Sequence, residues 1–242
     1  MIQIHRYTEN DKEIWNEFNA ESKNSLFMFD RNYMDYHRDC FQDHSLMFYD
    51  GDFLIGILPM NEKDGELWSH GGLTYGGIIS NEKMKQHIMN ECFEQLILYA
   101  RENKITSIIY KTIPHIYHRQ SAEEDRYSLF ANGAKLMTID ASTYVYLKNP
   151  LKMPKGRKAQ ISRAKREGVI IEELTTQDDY NRFIGLENEV LRERHDTQAV
   201  HTGAELKMLH DKFPNEIHLF GALREGKLIA GTVVFEYEQV IH

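Results

Sequence analysis

Two nine-residue segments of the sequence match each other, and this match constrains the fold more than any other feature. Residues 51–59, GDFLIGILP, align without gaps with residues 226–234, GKLIAGTVV, at an offset of 175. Both glycines coincide, and each segment follows an apolar run that is typical of a strand. An acidic residue followed by glycine favours a tight turn. Each segment therefore predicts a β-hairpin, turning at Asp50-Gly51 or at Glu225-Gly226.

The order of elements before each hairpin repeats as well. Residues 4–18 (IHRYTENDKEIWNEF) and 171–183 (IEELTTQDDYNRF) both show a short strand, a threonine-containing turn and a helix start. Asp11 and Asp178 stand where an acidic side chain complements the helix dipole. The chain is therefore predicted to be a tandem duplication. The alternative is a chance similarity between two amphipathic hairpins.

Other patterns mix helices and strands. Apolar residues at helical spacing predict helices over 83–103 and 122–132, and apolar runs predict strands over 73–79, 105–110 and 141–147. This mixture predicts an α/β (α+β) fold with mixed sheets flanked by helices.

The repeat also predicts a domain organisation. A first domain is expected over 1–149, a basic helix or linker over 150–168, and the start of an incomplete second domain over 169–242. The apolar run 228–235 has no counterpart of the strand predicted after the first hairpin. An uncovered apolar edge invites pairing. We therefore expect a dimer through this edge, a swapped terminal strand, or a frayed end beyond Val234.

Composition excludes several classes of protein. The 41% hydrophobic and 27% charged residues are typical of a folded globular chain. The longest near-continuous apolar runs have eight residues, against about 20 for a membrane-spanning helix. The amino terminus lacks the pattern of a secretory signal, so a cytoplasmic protein is predicted. The net charge of -8 argues against broad nonspecific binding of nucleic acid.

Five stretches, in this order, resemble the FemAB-like branch of the GNAT acyltransferase superfamily. They are GDFLIGILP (51–59), GGLTYGG (71–77), KGRKAQISRAKREGVIIEE (155–173), LRERHDTQAVHT (191–202) and FPNEIHLFGALREGKLIAGTVVF (213–235). The resemblance implies tandem GNAT-like domains, the second of them incomplete. It also implies transfer of an acyl group, here expected to be acetyl from acyl-CoA, to an amine of a sugar or cell-wall precursor such as a sugar nucleotide.

Two alternatives stay open beside this reading. Some proteins of this type take their donor from aminoacyl-tRNA, which would make the chain a peptidoglycan-precursor transferase. The residues that usually bind the donor in the second domain would lie beyond His242. The other alternative is therefore a non-catalytic module that binds the precursor and lacks the donor site.

Candidate catalytic residues cluster in the segment 192–202. Amide formation needs a proton acceptor near pH 7, and His195 and His201 are the candidates. Arg192 and Arg194 are expected to hold a phosphate or carboxylate of the substrate. The alternative is a solvated helix end whose basic residues complement the helix dipole.

Other candidate substrate contacts lie in the first domain. Four glycines surround His70 and Tyr75 in the segment 68–77, where backbone amides would approach an anion or a sugar closely. The alternative is a strand entry that is crowded against its neighbour. The resemblance implies that Arg31 binds a phosphate in a cleft between the two copies, and the alternative is a surface charge. His115 and His118 lack a third ligand, so no metal site is predicted.

The segment 151–168 carries seven basic residues and one acidic residue. On a helix, five of the basic residues fall within an arc of about 160°: Lys155, Lys158, Arg163, Lys165 and Arg166. Such a basic ridge suits an anionic substrate, a peripheral membrane contact or tRNA. The alternative is a solvated linker helix.

Overall fold

The computed structural model describes all 242 residues and divides the chain into two compact units. Unit 1 comprises Met1–Lys135 and Tyr237–Val240, and unit 2 comprises Leu136–Glu236 and Ile241–His242. None of the helices combines the length and the apolar composition that a membrane span requires.

Unit 1 contains eight strands, four α-helices and four single turns of 3-10 helix. The strands are β1 (Ile2–Arg6), β2 (Gln42–Asp43), β3 (Leu46–Asp50), β4 (Phe53–Leu58), β5 (Asn61–Lys63), β6 (Glu66–Trp68), β7 (Ile79–Ser80) and β8 (Ser107–Ile109). The helices are α1 (Lys12–Glu21), α2 (Arg31–Met34), α3 (Gln86–Glu102) and α4 (Glu124–Ala131), and the 3-10 turns are Glu9–Asp11, Phe27–Phe29, Asp35–His37 and His115–Tyr117.

These strands form two sheets. One has the order β1-β3-β4-β7 and is antiparallel. The other has the order β2-β5-β6-β8, and β6 and β8 pair in parallel within it. The predicted helix over 83–103 is confirmed as α3, whose Cys92 and Leu96 pack against Leu46 and Phe48 of the first sheet.

Unit 2 contains α5 (Lys155–Arg166), β9 (Ile170–Leu174), α6 (Gln177–His195), α7 (Gly203–Lys212), β10 (Ile217–Arg224) and β11 (Lys227–Phe235). The three strands form one antiparallel sheet in the order β9-β10-β11. Tyr180 and Ile184 of α6 and Leu206 of α7 belong to the core that includes Leu219 and Leu223 of β10. Thr176 and Thr202 cap α6 and α7, and each accepts a hydrogen bond from the backbone of the acidic residue three positions later.

Both predicted hairpins are confirmed. β3 and β4 form one and β10 and β11 the other, and each hairpin has a single register shift. In each case the first strand of the hairpin also pairs with the strand that precedes the helix. Gly51 and Gly226 adopt φ of +59° and +75° in the turns, a region that favours glycine.

Two predicted strands are wrong. Residues 73–78 form a loop, and only Ile79–Ser80 pairs as β7. Gly77, with φ of +91°, breaks the extended backbone there. Residues 141–147 form no strand because no other strand pairs with them, and Tyr144 and Leu147 are 65% and 75% exposed.

The end of the chain differs from the expectation of fraying. β11 extends to Phe235, the chain turns through Tyr237–Val240, and it returns so that Phe235 and His242 exchange two backbone hydrogen bonds of 2.8 Å. Backbone groups at this end of β11 are therefore paired within the chain.

Candidate functional site

The parallel pair β6 and β8 creates the candidate site in unit 1. The carboxyl ends of parallel strands meet at the same sheet edge, a common position for ligand sites. Ser69 and His70 follow β6, and Lys111 lies just beyond β8. The Ser69 N–H donates to the Ile109 carbonyl at 2.8 Å, and the Lys111 N–H donates to Ser69 Oγ at 2.6 Å. These bonds join the start of the loop 69–77 to the end of β8.

The glycines of this loop are required for close packing. A Cβ at Gly72 would lie 2.7 Å from the Phe41 ring, and a Cβ at Gly76 would overlap the Ser69 carbonyl. A Cβ at Gly77 would lie 2.9 Å from the Tyr110 hydroxyl. These approaches are shorter than side chains tolerate, so the loop is a crowded strand entry.

His70 is the most unusual residue of the loop. It is 5% exposed and adopts φ of +55°, a left-handed conformation that is strained for a non-glycine residue. Burial lowers the pKa of His70 to about 4, so its ring is neutral at pH 7. Its Nδ1 is buried and has no hydrogen-bond partner, and its ring centroid lies 5.4 Å from that of Phe41. A neutral imidazole suits a hydrogen bond to a ligand better than charge pairing with a phosphate.

Tyr75 belongs to an aromatic box that we define as Phe27, Tyr75, Tyr117 and Tyr237. The Tyr75 hydroxyl donates to the Tyr117 hydroxyl at 2.7 Å. The Tyr237 ring lies 5.2 Å from the rings of Phe27 and Tyr117. Burial raises the pKa of Tyr75 and of Tyr237, so both phenols are protonated at neutral pH.

Residues beside Tyr237 anchor it to the same unit. The Gln239 side-chain amide donates to the His118 carbonyl at 2.6 Å, and Glu238 forms an ion pair of 2.7 Å with Arg119. The Tyr237 hydroxyl itself is buried without a hydrogen-bond partner. The box therefore contains three phenol groups, and the Tyr237 hydroxyl is the one that is buried without a partner.

Arg31 is committed to internal partners. Its guanidinium is 3% exposed and contacts Asp35 at 2.5 Å and Asp43 at 2.7 Å. It also lies over the Tyr7 ring, 3.9 Å from the centroid. Two carboxylates already compensate its charge, so the arrangement stabilises this part of unit 1 and leaves no net cation for a phosphate.

The other predicted residues lie in unit 2. Arg192, Arg194 and His195 are exposed in the last turn of α6, where cations complement the helix dipole. His201 is half-buried in the segment before α7. The structure thus places Arg192, Arg194 and His195 on one helix end. Arg31, His70 and Tyr75 lie in unit 1, where the charge of Arg31 contributes to the pKa of His70.

Two residues at this site, Lys111 and Tyr117, were not among the candidates predicted from the sequence. Lys111 follows the predicted strand 105–110 directly, and a polar residue at the end of a buried strand is a signal that points to a site. Tyr117 lies in a single 3-10 turn and carries no comparable signal. Across the described residues, no group of three or more His, Cys, Asp or Glu side chains has a metal-binding arrangement.

Comparison with known proteins identifies the fold. No family model and no curated protein matches the sequence. Among solved structures, that of FemX matches with a TM-score of 0.55 and 11% identity, over 91% of this chain and 57% of FemX. The fold is FemAB-like, with tandem GNAT units. The predicted fold class is thereby confirmed.

Two further structures share the FemAB-like fold over almost the whole chain. A tandem GNAT protein from the clavulanic acid biosynthesis pathway matches with a TM-score of 0.50 and 13% identity, over 98% of this chain and 75% of that protein. A conserved protein of unknown function from Bacteroides thetaiotaomicron matches with a TM-score of 0.51 and 16% identity, over 97% of this chain and 75% of that one. Since this chain spans 57% of FemX and the identities are 11–16%, these similarities concern the fold.

Proposed function

We propose that this chain is an N-acyltransferase that transfers an acetyl group from acetyl-CoA to an amine of a sugar or cell-wall precursor. The observation that carries the proposal is the tandem GNAT fold, which extends over 91% of the chain in the match to FemX and 98% in the match to the tandem GNAT protein. Fold-level similarity supports the transferase class, and the acceptor class follows from the sequence resemblance.

The proposed reaction is an acyl transfer between a thioester and an amine. The neutral amine attacks the acyl carbonyl, the amide C–N bond forms, the C–S bond breaks, and the thiolate leaves. A base accepts the proton that the amine nitrogen loses. We propose His195 and His201 for this role, with Arg192 and Arg194 as substrate contacts in unit 2.

In unit 1 we propose that the acceptor contacts the loop 69–77 and the aromatic box. The neutral ring of His70 is suited to a hydrogen bond with a hydroxyl or amide group of a sugar. Tyr75, five residues later in the same loop, supplies an aromatic ring.

The direct test is transfer of radiolabelled acetyl groups from acetyl-CoA to a panel of amino sugars and their nucleotide derivatives. We expect product with at least one amine, and a loss of kcat in His195→Gln or His201→Gln that exceeds the loss in His218→Gln, a control in the same unit. Transfer that is equal in all three variants would remove both histidines from the proposed role.

The exposed charge of α5 favours an aminoacyl-tRNA as the alternative donor. Every residue of α5 except Ala164 is exposed, so its cations are accessible to a phosphate backbone. Transfer from charged tRNA, with none from acetyl-CoA, would replace acetyl transfer by this alternative.

The second alternative is a binding module without catalysis. In that case UDP-sugars should raise the melting temperature of the chain, and acetyl-CoA should leave it unchanged.

A further inference from the structure

Lys111 occupies the edge where β6 and β8 end, and its side chain reaches back across the loop 69–77. Its ammonium donates to the His70 carbonyl at 2.8 Å and also to the Leu73 carbonyl. We propose that Lys111 forms an anion-binding site that holds an oxyanion, a phosphate or a carboxylate, of the acceptor substrate. The assignment to the acceptor rests on the proposed acyltransferase function, whereas the anion site itself does not.

Charge compensation distinguishes Lys111 from the other shielded cations of unit 1. Lys23 forms an ion pair of 2.6 Å with Glu124, and Arg31 contacts both Asp35 and Asp43. Lys111, by contrast, forms no ion pair, and its ammonium contacts the backbone carbonyls of His70 and Leu73. Taking an ammonium out of water without a counter-charge is costly, so a half-buried cation of this kind is a strong candidate for binding an anion.

The electrostatic environment agrees with this geometry. Burial lowers the pKa of Lys111, and no neighbouring charge offsets this effect. An anion that binds at Lys111 would supply the missing counter-charge. Because His70 is neutral at pH 7, Lys111 supplies the positive charge beside the loop 69–77.

The hydrogen-bonding geometry leaves capacity for a ligand. An ammonium has three N–H donors, and backbone carbonyls accept two of those of Lys111. The two carbonyls hold the nitrogen in place, so that the third donor is preorganised. The Nδ1 of His70, on the same loop, is buried and unpartnered, which is a second sign that a polar ligand group belongs here.

The site also explains how unit 1 recognises an anion without Arg31. A lysine contacts phosphate as a point charge through single hydrogen bonds, whereas a compensated arginine offers no net charge. Anion recognition is therefore assigned to Lys111, the second residue after β8, 80 positions along the chain from Arg31.

The test is calorimetric titration of the full chain with inorganic phosphate, pyrophosphate and succinate. We expect at least one of the three to bind, and Lys111→Met to weaken that binding about tenfold or more, since a charge-assisted hydrogen bond is lost. Lys111→Arg should retain part of the affinity. Lys63→Met, at the exposed end of β5, is the matched control and should bind like the wild type.

A second measurement covers the case in which Lys111→Met fails to fold. In the wild type, the saturating anion should protect Lys111 from acetic anhydride about fivefold or more relative to Lys63, as read by mass spectrometry. The absence of binding by all three anions, or binding without effect at Lys111 in either measurement, would overturn the site. If anions bind through Lys111 but no acyl transfer is found, the proposed function fails and the site stands.

Discussion

The two units share one plan, a strand, a helix and a hairpin, but they cover their sheets differently. In unit 1 the consecutive residues Leu46, Met47 and Phe48 of β3 are all buried, so both faces of the sheet are covered. In unit 2 burial alternates along β10, where Leu219 and Leu223 face the core and Phe220 between them is half-buried. One face of the unit 2 sheet is therefore open.

The open face of the unit 2 sheet carries a shallow depression. Ile171, Phe220 and Ala222 line a shallow depression of about 240 Å³ together with residues of β11. In unit 1, α3 packs on the first sheet, and in unit 2, α6 and α7 pack on the other face of the sheet. The two hairpins therefore share their strand pairing, whereas helices at different places in the chain order cover the two sheets.

The loop 69–77 and Lys111 belong to a part of unit 1 that has no counterpart among the elements of unit 2. His70 and Lys111 lie at the end of the parallel strands β6 and β8, which belong to the second sheet of unit 1. Unit 2 has a single sheet and no such pair. The features specific to unit 1, and not the duplicated hairpin, therefore create the site around the loop 69–77.

The largest expected effect separates the covered sheet from the open one. Phe48→Ala should destabilise unit 1 by about 3–5 kcal/mol because it removes a fully buried ring. Phe220→Ala, on the middle strand of the other sheet, should cost unit 2 about 1 kcal/mol. Both tryptophans, Trp15 and Trp68, lie in unit 1, so fluorescence during urea unfolding follows that unit, and NMR follows unit 2. Equal losses of free energy of unfolding in the two variants would show that the two sheets are covered to the same extent.

A pH titration tests the contribution of a buried carboxyl, that of Asp125, to the stability of unit 1. Burial raises the pKa of Asp125 to about 6 from its ordinary value of 3.8, although Tyr110 donates to this carboxyl at 2.9 Å. Folding thus favours the protonated carboxyl, and this contribution is present below pH 4 and is lost as the pH rises through about 6. We expect this carboxyl to remove up to about 3 kcal/mol from the stability of unit 1 over this interval, whereas His70, whose pKa burial lowers to about 4, acts in the opposite direction.

Asp125→Asn is the matched variant for this titration, because it keeps an acceptor for the Tyr110 hydroxyl and does not ionise. Relative to the wild type, the variant should gain up to about 3 kcal/mol between pH 4 and 7, because the buried histidines titrate alike in both proteins and only the carboxyl differs. Urea unfolding of both proteins at a series of pH values measures this difference. A difference between the two proteins that stays constant over this interval, or that grows in favour of the wild type, would contradict the assignment.

Turn glycines should give a smaller and matched effect in both units. Gly51→Ala and Gly226→Ala place a side chain at φ of +59° and +75°, each with open space around the new Cβ. We expect about 1 kcal/mol of destabilisation in each unit, because only backbone strain is added. Thermal unfolding of the two variants measures this, and a cost confined to one turn would show that the two hairpins are not equivalent.

The smallest expected effect on stability is that of the basic ridge. Replacing Lys158, Arg163 and Arg166 of α5 by alanine should change the stability of unit 2 by about 0.5 kcal/mol or less, since these residues are exposed. The same triple variant should weaken binding of an anionic partner and flatten its salt dependence. Unchanged binding to tRNA and to anionic vesicles at low salt would leave α5 as a solvated linker.

Much of the fold was determined by local sequence. The two hairpins follow from glycine at positive φ beside apolar runs, and α3 follows from its apolar stripe. The end of the helix near residue 132 follows from Gly133, which has φ of +71°. These features depend on residues a few positions apart, so their energetics are visible in the sequence.

Tertiary structure alone decided the candidate site. Asp43 compensates Arg31 from 12 positions away, and Lys111 meets the loop 69–77 because β6 and β8, some 40 residues apart, pair in parallel. No local pattern reports such contacts, because a parallel pair is closed by a long connection and the partner of a charge is fixed only when the strands meet. The sequence determined which hairpins form, and the pairing of distant strands decided which cation remains without a counter-charge.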